Sequence, residues 1–108
     1  MDTLLEVRVS VPDEETGLRL ARAAVAARAA ACVQCLGPMT SVFTWAGEVQ
    51  AEQEWLLLAK TTTDALPRLH ELVLREHPYD VPELLAVPVA QALDAYAEWV
   101  RDQVSDLG

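Results

Sequence analysis

The sequence has 108 residues, 52% of them apolar, and its 17 acidic and 8 basic side chains give a net charge of −9. This length and composition predict a single domain over residues 1–108 with one hydrophobic core, and they exclude a disordered chain. The negative charge argues against nucleic-acid binding, which depends mainly on lysine and arginine. No apolar run reaches the ~18 residues of a membrane span, and no signal-peptide pattern opens the chain, so we expect a cytoplasmic protein without membrane contact.

The N-terminal part of the chain predicts a strand followed by a helix. Apolar and polar residues alternate over residues 4–11, which is typical of a half-buried strand. Asp13 is a suitable helix cap, and apolar residues follow it at helical spacing. We expect this helix to end near residues 28–30.

Residues 31–62 predict an unusually long β-hairpin. Two strands, 31–46 and 48–62, meet at Ala46-Gly47, and an X-Gly pair between two β-rich runs is typical of a two-residue turn. A strand of this length spans about 50 Å, whereas a compact domain of this size is only about 35 Å across. The tip should therefore project, and its free edges require another chain as cover. Gly37-Pro38 should form a bulge or a kink.

The C-terminal part predicts a helix, a short strand and a last helix. The first helix should run over residues 64–76, with Thr63 or Asp64 as its cap. Residues 83–89 are nearly all apolar, which is typical of a strand covered on both faces. Residues 91–104 have the periodicity of the last helix.

The predicted order β-α-β-β-α-β-α defines the fold class. It is an α+β protein with the ferredoxin-like split βαβ arrangement and an additional C-terminal helix. Right-handed crossovers would place the two main helices on one face of a four-stranded antiparallel sheet.

Several segments carry specific motifs: Ala30-Ala31-Cys32-Val33, Gly37-Pro38-Met39-Thr40-Ser41, Trp45-Ala46-Gly47-Glu48, Lys60-Thr61-Thr62, His77-Pro78-Tyr79-Asp80-Val81-Pro82-Glu83, and Tyr96 with Trp99. In order and spacing they resemble the CutA family of divalent-cation tolerance proteins, over roughly residues 7–100. The resemblance implies a tight homotrimer whose long hairpins pair between subunits. It also implies kinship with the trimeric PII signalling proteins.

The same resemblance directs attention to a metal site. Some family members are associated with copper through a first-strand cysteine and two adjacent histidines, whereas here Val9 and the pair Glu76-His77 occupy those positions. Imidazole is a common ligand for copper and zinc, so His77, helped by Glu76, is the candidate ligand for Cu²⁺ or another divalent cation. The alternative is a histidine that ends a helix and forms local hydrogen bonds.

Cys32 and Cys35 have the Cys-x-x-Cys spacing of some redox and metal sites. They begin a strand after a helix, whereas the redox motif places its first cysteine at a helix N-terminus. Residues three apart on a strand point to opposite faces, which hinders chelation of one ion. We therefore expect two buried free thiols, of which Cys32 belongs to the family motif.

A polar cluster in a subunit cleft is the second candidate site. Lys60, Tyr79 and Glu83 would bind a small anionic or amphipathic ligand against the flat wall of Trp45, with Cys32 at the same interface. The alternative is that these residues only hold the trimer together.

The sequence thus predicts a homotrimer that binds a divalent cation such as Cu²⁺ and contributes to metal tolerance. The alternative is a PII-like signalling module that binds a small ligand between subunits. No enzyme signature occurs, since the chain has neither a glycine-rich phosphate loop nor a nucleophile elbow, and no organic cofactor is implied. The physiological ligand and any downstream partner are not specified by these residues.

Overall fold

A computed structural model describes residues 2–105, which form four strands and three helices. In chain order the elements are β1 (Leu4–Val11), α1 (Glu14–Ala26), β2 (Cys32–Trp45), β3 (Glu48–Thr62), α2 (Leu66–Glu76), β4 (Leu84–Pro88) and α3 (Asp94–Gln103). The strands make one antiparallel sheet in the order β2-β3-β1-β4. The predicted ferredoxin-like fold is therefore confirmed.

The main core lies between one face of the sheet and the helices α1 and α2. Alternate residues of β1 and β3 point to this face, and they pack against apolar side chains of both helices: Leu5, Val7, Val9, Val11, Leu57, Ala59, Leu20, Ala24, Leu69, Leu72 and Val73. Helix α1 lies very close to the sheet at Gly17, where an added Cβ would be 3.1 Å from both Cys35 Sγ and a methyl group of Val11. The small residues of α1 allow this approach.

The ends of α1 and α2 differ from the prediction. Asp13 caps α1 by accepting a hydrogen bond from the Thr16 backbone N–H at 2.8 Å. The helix ends at Ala26, earlier than expected, because Arg28 takes a positive φ of 57°. The predicted cap of α2 is wrong. Its N-cap residue is Ala65, because Thr63 and Asp64 instead donate hydrogen bonds to the Asp2 carboxylate.

Strand β3 has different neighbours along its two halves. Residues Trp55 to Thr62 pair with β1 on one side and mostly with β2 on the other, whereas residues 48–54 pair only with β2. Residues 39–54 therefore form a two-stranded ribbon about 20 Å long beyond the four-stranded sheet, which we call the outer hairpin. The molecule measures 46 × 26 × 21 Å, so the predicted projection is present.

The predicted irregularity at Gly37-Pro38 lies where the outer hairpin begins. The register of β2 against β3 shifts between Leu36 and Met39, and the Gly37-Pro38 peptide bond is cis. An added Cβ at Gly37 would be only 2.4 Å from an indole carbon of Trp55. Glycine is therefore required here by close approach to that ring.

The opposite face of the sheet is only partly covered. Helix α3 packs over one end of it, against Leu4 and Ala31. The remainder, which we call the open sheet face, has apolar and charged residues side by side: Glu6, Arg8, Leu36, Leu56, Leu58, Lys60, Leu85 and Val87. The expectation that both faces of β4 are covered is wrong for one chain, because Leu85 on this face is 54% exposed.

No helix in residues 2–105 is long and apolar enough to cross a membrane, and the cytoplasmic location stays a prediction.

The tip of the outer hairpin is a turn of two residues with positive φ, as Ala46-Gly47 predicts. The φ angles are 53° at Ala46 and 80° at Gly47. Glycine adopts this region freely, whereas alanine does so at a cost of roughly 1–2 kcal/mol.

Ala46→Asn should therefore stabilise the protein by roughly 0.5–1 kcal/mol, because asparagine followed by glycine is favoured in this turn. The measurement is the thermal unfolding midpoint at a fixed protein concentration. Thr44→Asn, two residues earlier in the extended strand, is the control and should not raise the midpoint. A lower midpoint for Ala46→Asn than for the unmodified chain would contradict the turn geometry.

Candidate functional site

His77 is buried where α2 ends and both of its ring nitrogens have partners. Its Nε2 is 2.7 Å from the backbone oxygen of Ser10, near the end of β1. Its Nδ1 accepts a hydrogen bond from the backbone N–H of Tyr79 at 3.0 Å. His77 as a whole is only 7% exposed. His77 thus connects the loop after α2 to strand β1.

These partners define the tautomer of His77. The Ser10 carbonyl oxygen can only accept, so Nε2 carries the proton and donates it. The Tyr79 N–H can only donate, so Nδ1 presents its lone pair. The neutral ring is the form in which histidine binds metals.

Glu76 and Val9 complete the comparison with the predicted copper ligands. The Glu76 carboxylate is exposed and lies 3.9 Å from Arg75 Nε, while its backbone oxygen accepts a hydrogen bond from Arg19. Val9 is part of the core and only 2% exposed, so that position offers no ligand. In residues 2–105 no three His, Cys, Asp or Glu side chains gather into a metal-binding group within one chain. Of the three predicted positions, only His77 and Glu76 carry a side chain that can bind a cation, and they are adjacent in sequence at the end of α2.

Tyr79 joins the same loop to the outer hairpin. Its hydroxyl donates a hydrogen bond of 3.0 Å to Glu54 Oε2, and its ring centroid lies 4.8 Å from that of His77. Burial, followed by the hydrogen bond to the Glu54 carboxylate, raises the pKa of Tyr79 to about 12. The hydroxyl therefore keeps its proton and remains a donor at neutral pH.

Lys60 lies on the open sheet face among neighbours from β1 and β2. Its Nζ donates to Gln34 Oε1 at 2.8 Å and lies 3.9 Å from Glu6 Oε2. Glu6 in turn accepts two hydrogen bonds of 3.2 Å from the Arg8 guanidinium. The Lys60 side chain is only 17% exposed. This cross-strand network explains how the single lysine of the chain is tolerated in an apolar strand.

The two cysteines point to opposite faces of the sheet, as expected. Cys32 Sγ lies 3.4 Å from the hydroxyl oxygen of Tyr96 on α3, whereas Cys35 faces Gly17 of α1. Both thiols are free, and each residue is half-buried. Burial, and then the nearby Glu14 carboxylate, raises the pKa of the Cys35 thiol. This arrangement gives the Cys-x-x-Cys spacing a structural role within one chain.

The residues predicted to line a cleft lie apart within one chain. Lys60 and Glu54 are six residues apart on β3, which corresponds to about 20 Å along the strand. Because the Tyr79 hydroxyl is bound to Glu54, it lies far from Lys60. Trp45 is at the hairpin tip and 68% exposed, and Glu83 is exposed next to β4. One chain therefore brings together His77, Glu76 and Tyr79, but not Lys60 or Trp45. A cleft that contains all of them would need neighbouring copies.

Several residues that organise these contacts were missed in the sequence. Ser10 acts through its backbone oxygen, and Glu54 is one of several acidic residues in β3, so neither belongs to a motif. The Lys60-Thr61-Thr62 motif also has a structural role, because the Thr61 hydroxyl donates 2.7 Å to the buried backbone oxygen of Ala29. The signal that could have revealed Thr61 is a polar residue at a core position of an otherwise apolar strand.

The chain is similar to known proteins along nearly its whole length. The family model described as "CutA1 divalent ion tolerance protein" matches residues 5–103. The divalent-cation tolerance protein CutA of Thermus thermophilus is 47% identical over 96 residues, which cover 89% of this chain and 93% of that protein. Human protein CutA is 39% identical over 101 residues, but these cover only 56% of its length. Several other relatives from plants and animals are likewise matched over little more than half of their length.

Solved structures have the same fold. The Thermus thermophilus divalent cation tolerance protein superposes with a TM-score of 0.92 at 44% identity, covering 94% of this chain and 99% of that one. CutA1 from Oryza sativa gives a TM-score of 0.93 at 38% identity, covering 96% and 95% of the two chains.

Lys60→Ala should lower the free energy of unfolding by roughly 1–2 kcal/mol, because it removes a half-buried ammonium, leaves the Gln34 side-chain oxygen without its donor and leaves Glu6 with Arg8 alone. Chemical denaturation at a fixed protein concentration measures this change. The control is Arg75→Ala, which removes a pair with the same 3.9 Å separation from an exposed position and should cost less than about 0.5 kcal/mol. Equal costs for the two variants would refute the structural role of Lys60.

Proposed function

This chain belongs to the CutA1 divalent ion tolerance family, and from this premise we propose that it acts as a homotrimer that binds a divalent cation such as Cu²⁺. Residues 1–108 form the single domain of each subunit in this proposal. His77 is the principal ligand, and the adjacent Glu76 is the second. Water or a neighbouring subunit supplies the remaining ligands. The family concerns tolerance of divalent ions, and no catalytic activity enters the proposal.

The observation that carries the metal site is the hydrogen bond from His77 Nε2 to the Ser10 backbone oxygen. Histidines that bind metals through one ring nitrogen commonly donate the other ring N–H to a carboxylate or a backbone carbonyl, which fixes tautomer and orientation. His77 has this arrangement, and Nδ1 would be the atom that binds the cation through its lone pair. The fixed orientation reduces the cost of ordering the ring when a cation binds.

The Tyr79 N–H already occupies Nδ1, so a cation must replace this hydrogen bond. Whether it can do so depends on the free energy of the hydrogen bond compared with the binding free energy of the cation. A typical intramolecular hydrogen bond contributes only about 0.5–1.5 kcal/mol net. A cation with a Kd of about 1 µM gains about 8 kcal/mol on binding. The bond from Tyr79 therefore weakens the site without abolishing it. The exposed carboxylate of Glu76, the residue before His77, adds a negative charge that favours a cation.

The homotrimer is supported by two surfaces that one chain leaves without cover. The outer hairpin has unpaired strand edges and exposed apolar residues at Val42, Trp45 and Val49. The open sheet face exposes Leu36 on β2 and Leu85 on β4, the two outer strands of the sheet. Exposed edges and large apolar patches are unfavourable in an isolated soluble chain, and copies of the same chain would cover both.

A PII-like signalling module is the second candidate, and the position of Lys60 favours it. The Lys60 ammonium lies on the open sheet face. The Trp45 ring is exposed at the tip of the outer hairpin, where a neighbouring subunit could contact it. In a trimer these groups, with Tyr79 and Glu83, would border clefts between subunits. A small anionic ligand in such a cleft would depend on Lys60 and would not depend on His77.

Leu85→Arg should convert the trimer into smaller species, because it replaces an apolar side chain of the open sheet face by a charged one, next to Arg8 of β1. Light scattering at micromolar concentration measures the molar mass. Leu74→Arg is the matched control, since Leu74 is 56% exposed against 54% for Leu85 but lies on α2, outside the proposed interface. We expect a trimer for the unmodified chain and for Leu74→Arg. A clean monomer for the unmodified chain would overturn the proposed assembly.

Copper binding by His77 can be tested without disturbing that buried ring, because the chain has only two histidines. The His70→Gln variant retains His77 as its single histidine, so any imidazole bound to Cu²⁺ in this variant must be that of His77. His70 is exposed on α2, so its replacement should leave the fold intact. We expect tag-free His70→Gln to bind Cu²⁺ with the affinity of the unmodified chain, by calorimetry. Its electron paramagnetic resonance spectrum should show coupling to an imidazole nitrogen.

The reciprocal variant, His77→Gln, should lose most of this affinity and the nitrogen coupling. Circular dichroism of the metal-free variant confirms that it is folded before the titration. If His70→Gln loses the nitrogen coupling instead, the copper ligand is the surface histidine and the proposed site is wrong.

A further inference from the structure

The outer hairpin has little support from the rest of its own chain. Strand β1 stops pairing at Trp55, and β2 is irregular between Leu36 and Met39, so both neighbours of β3 change within a few residues. In residues 2–105, a single side-chain hydrogen bond joins the outer hairpin to the rest of the chain, from Tyr79 to Glu54. Glu54 is the first residue of β3 beyond the pairing with β1. This bond therefore lies at the boundary between the sheet and the projecting ribbon.

Tyr79 is itself held by His77. The Tyr79 N–H donates to His77 Nδ1, the two rings are in contact, and His77 Nε2 donates to Ser10 at the end of β1. A continuous series of contacts thus runs from β1 through His77 and Tyr79 to Glu54. It spans the point at which β1 ceases to support β3.

We propose that His77, Tyr79 and Glu54 form a latch that holds the outer hairpin against the core, and that a divalent cation bound by His77 opens this latch. The first half rests on the contacts above. The second half rests on the proposed function, because it requires His77 to be the ligand. It gives the cation site a means of acting on the part of the chain that reaches the neighbouring subunits.

The opening follows from competition for one lone pair. His77 Nδ1 has one lone pair in the ring plane, so it accepts the Tyr79 N–H or binds a cation, but not both. Cation binding at Nδ1 therefore requires the Tyr79 N–H to leave the ring, and in this proposal the movement of the residue also breaks the bond between its hydroxyl and Glu54. Coupling between two events is reciprocal. A weaker latch must therefore raise the affinity for the cation, and the cation must loosen the outer hairpin.

Tyr79→Phe tests the latch, since it removes the hydroxyl and retains the ring that contacts His77. Loss of one hydrogen bond of typical strength corresponds to about a fivefold change in an equilibrium constant. In the metal-free assembled protein, amides of residues 39–54 should exchange with deuterium about fivefold faster in this variant. In calorimetry the same variant should bind Cu²⁺ about fivefold more tightly.

Three carboxylate variants complete the test. Glu54→Gln keeps an oxygen that accepts the Tyr79 hydroxyl, whereas Glu54→Ala removes the acceptor, so only Glu54→Ala should reproduce the effects of Tyr79→Phe. Glu52→Ala removes a neighbouring exposed carboxylate that has no hydrogen bond to the loop, and it should behave as the unmodified chain.

The two halves of the proposal fail in distinguishable ways. Unchanged amide exchange in Tyr79→Phe overturns the latch. Faster exchange with unchanged Cu²⁺ affinity, in a protein whose spectrum shows copper on His77, overturns the coupling to the cation. Absence of imidazole-bound copper in His70→Gln overturns the proposed metal site and the second half with it, while the exchange data still decide the latch.

Discussion

The unequal pairing of β3 is the constraint on which the rest of the structure depends. Its C-terminal half has a strand on each side and helices over one face, so it buries apolar side chains in the core. Its N-terminal half has one partner and leaves an edge unpaired. The same strand therefore provides both a part of the sheet with a neighbour on each side and a part with one unpaired edge. The change occurs within one residue, between Glu54 and Trp55.

Periodicity and turn chemistry were enough to predict the order of the elements. Ala46-Gly47 identified the hairpin tip, and Gly37-Pro38 identified the irregularity in β2, because each depends on residues adjacent in sequence. The start of α2 was mispredicted for the opposite reason. Thr63 and Asp64 are good caps locally, but the Asp2 carboxylate, more than sixty residues earlier, accepts their hydrogen bonds. Long-range partners of this kind leave no local pattern.

The candidate site was predictable only in part. His77 could be identified as a potential ligand from its residue type and neighbours, but its partner is the backbone oxygen of Ser10, which every residue type possesses. Glu54 was one acid among many in an acidic strand, and only the fold selects it as the acceptor of Tyr79. Lys60 stands out in the sequence because lysine is otherwise absent from the chain. Its partners Gln34 and Glu6 became evident only from strand register.

The two interpretations of His77, structural residue and metal ligand, are compatible once the ring nitrogens are considered separately. The Nε2 bond to Ser10 stabilises the loop and remains available as support when Nδ1 changes partner. The Nδ1 bond to Tyr79 is the one that the proposed cation would replace, and Tyr79 in turn contacts Glu54 through its hydroxyl. In the proposed function, a ring anchored at Nε2 and able to change its partner at Nδ1 would connect cation binding to strand β3 at the point where its pairing with β1 ends.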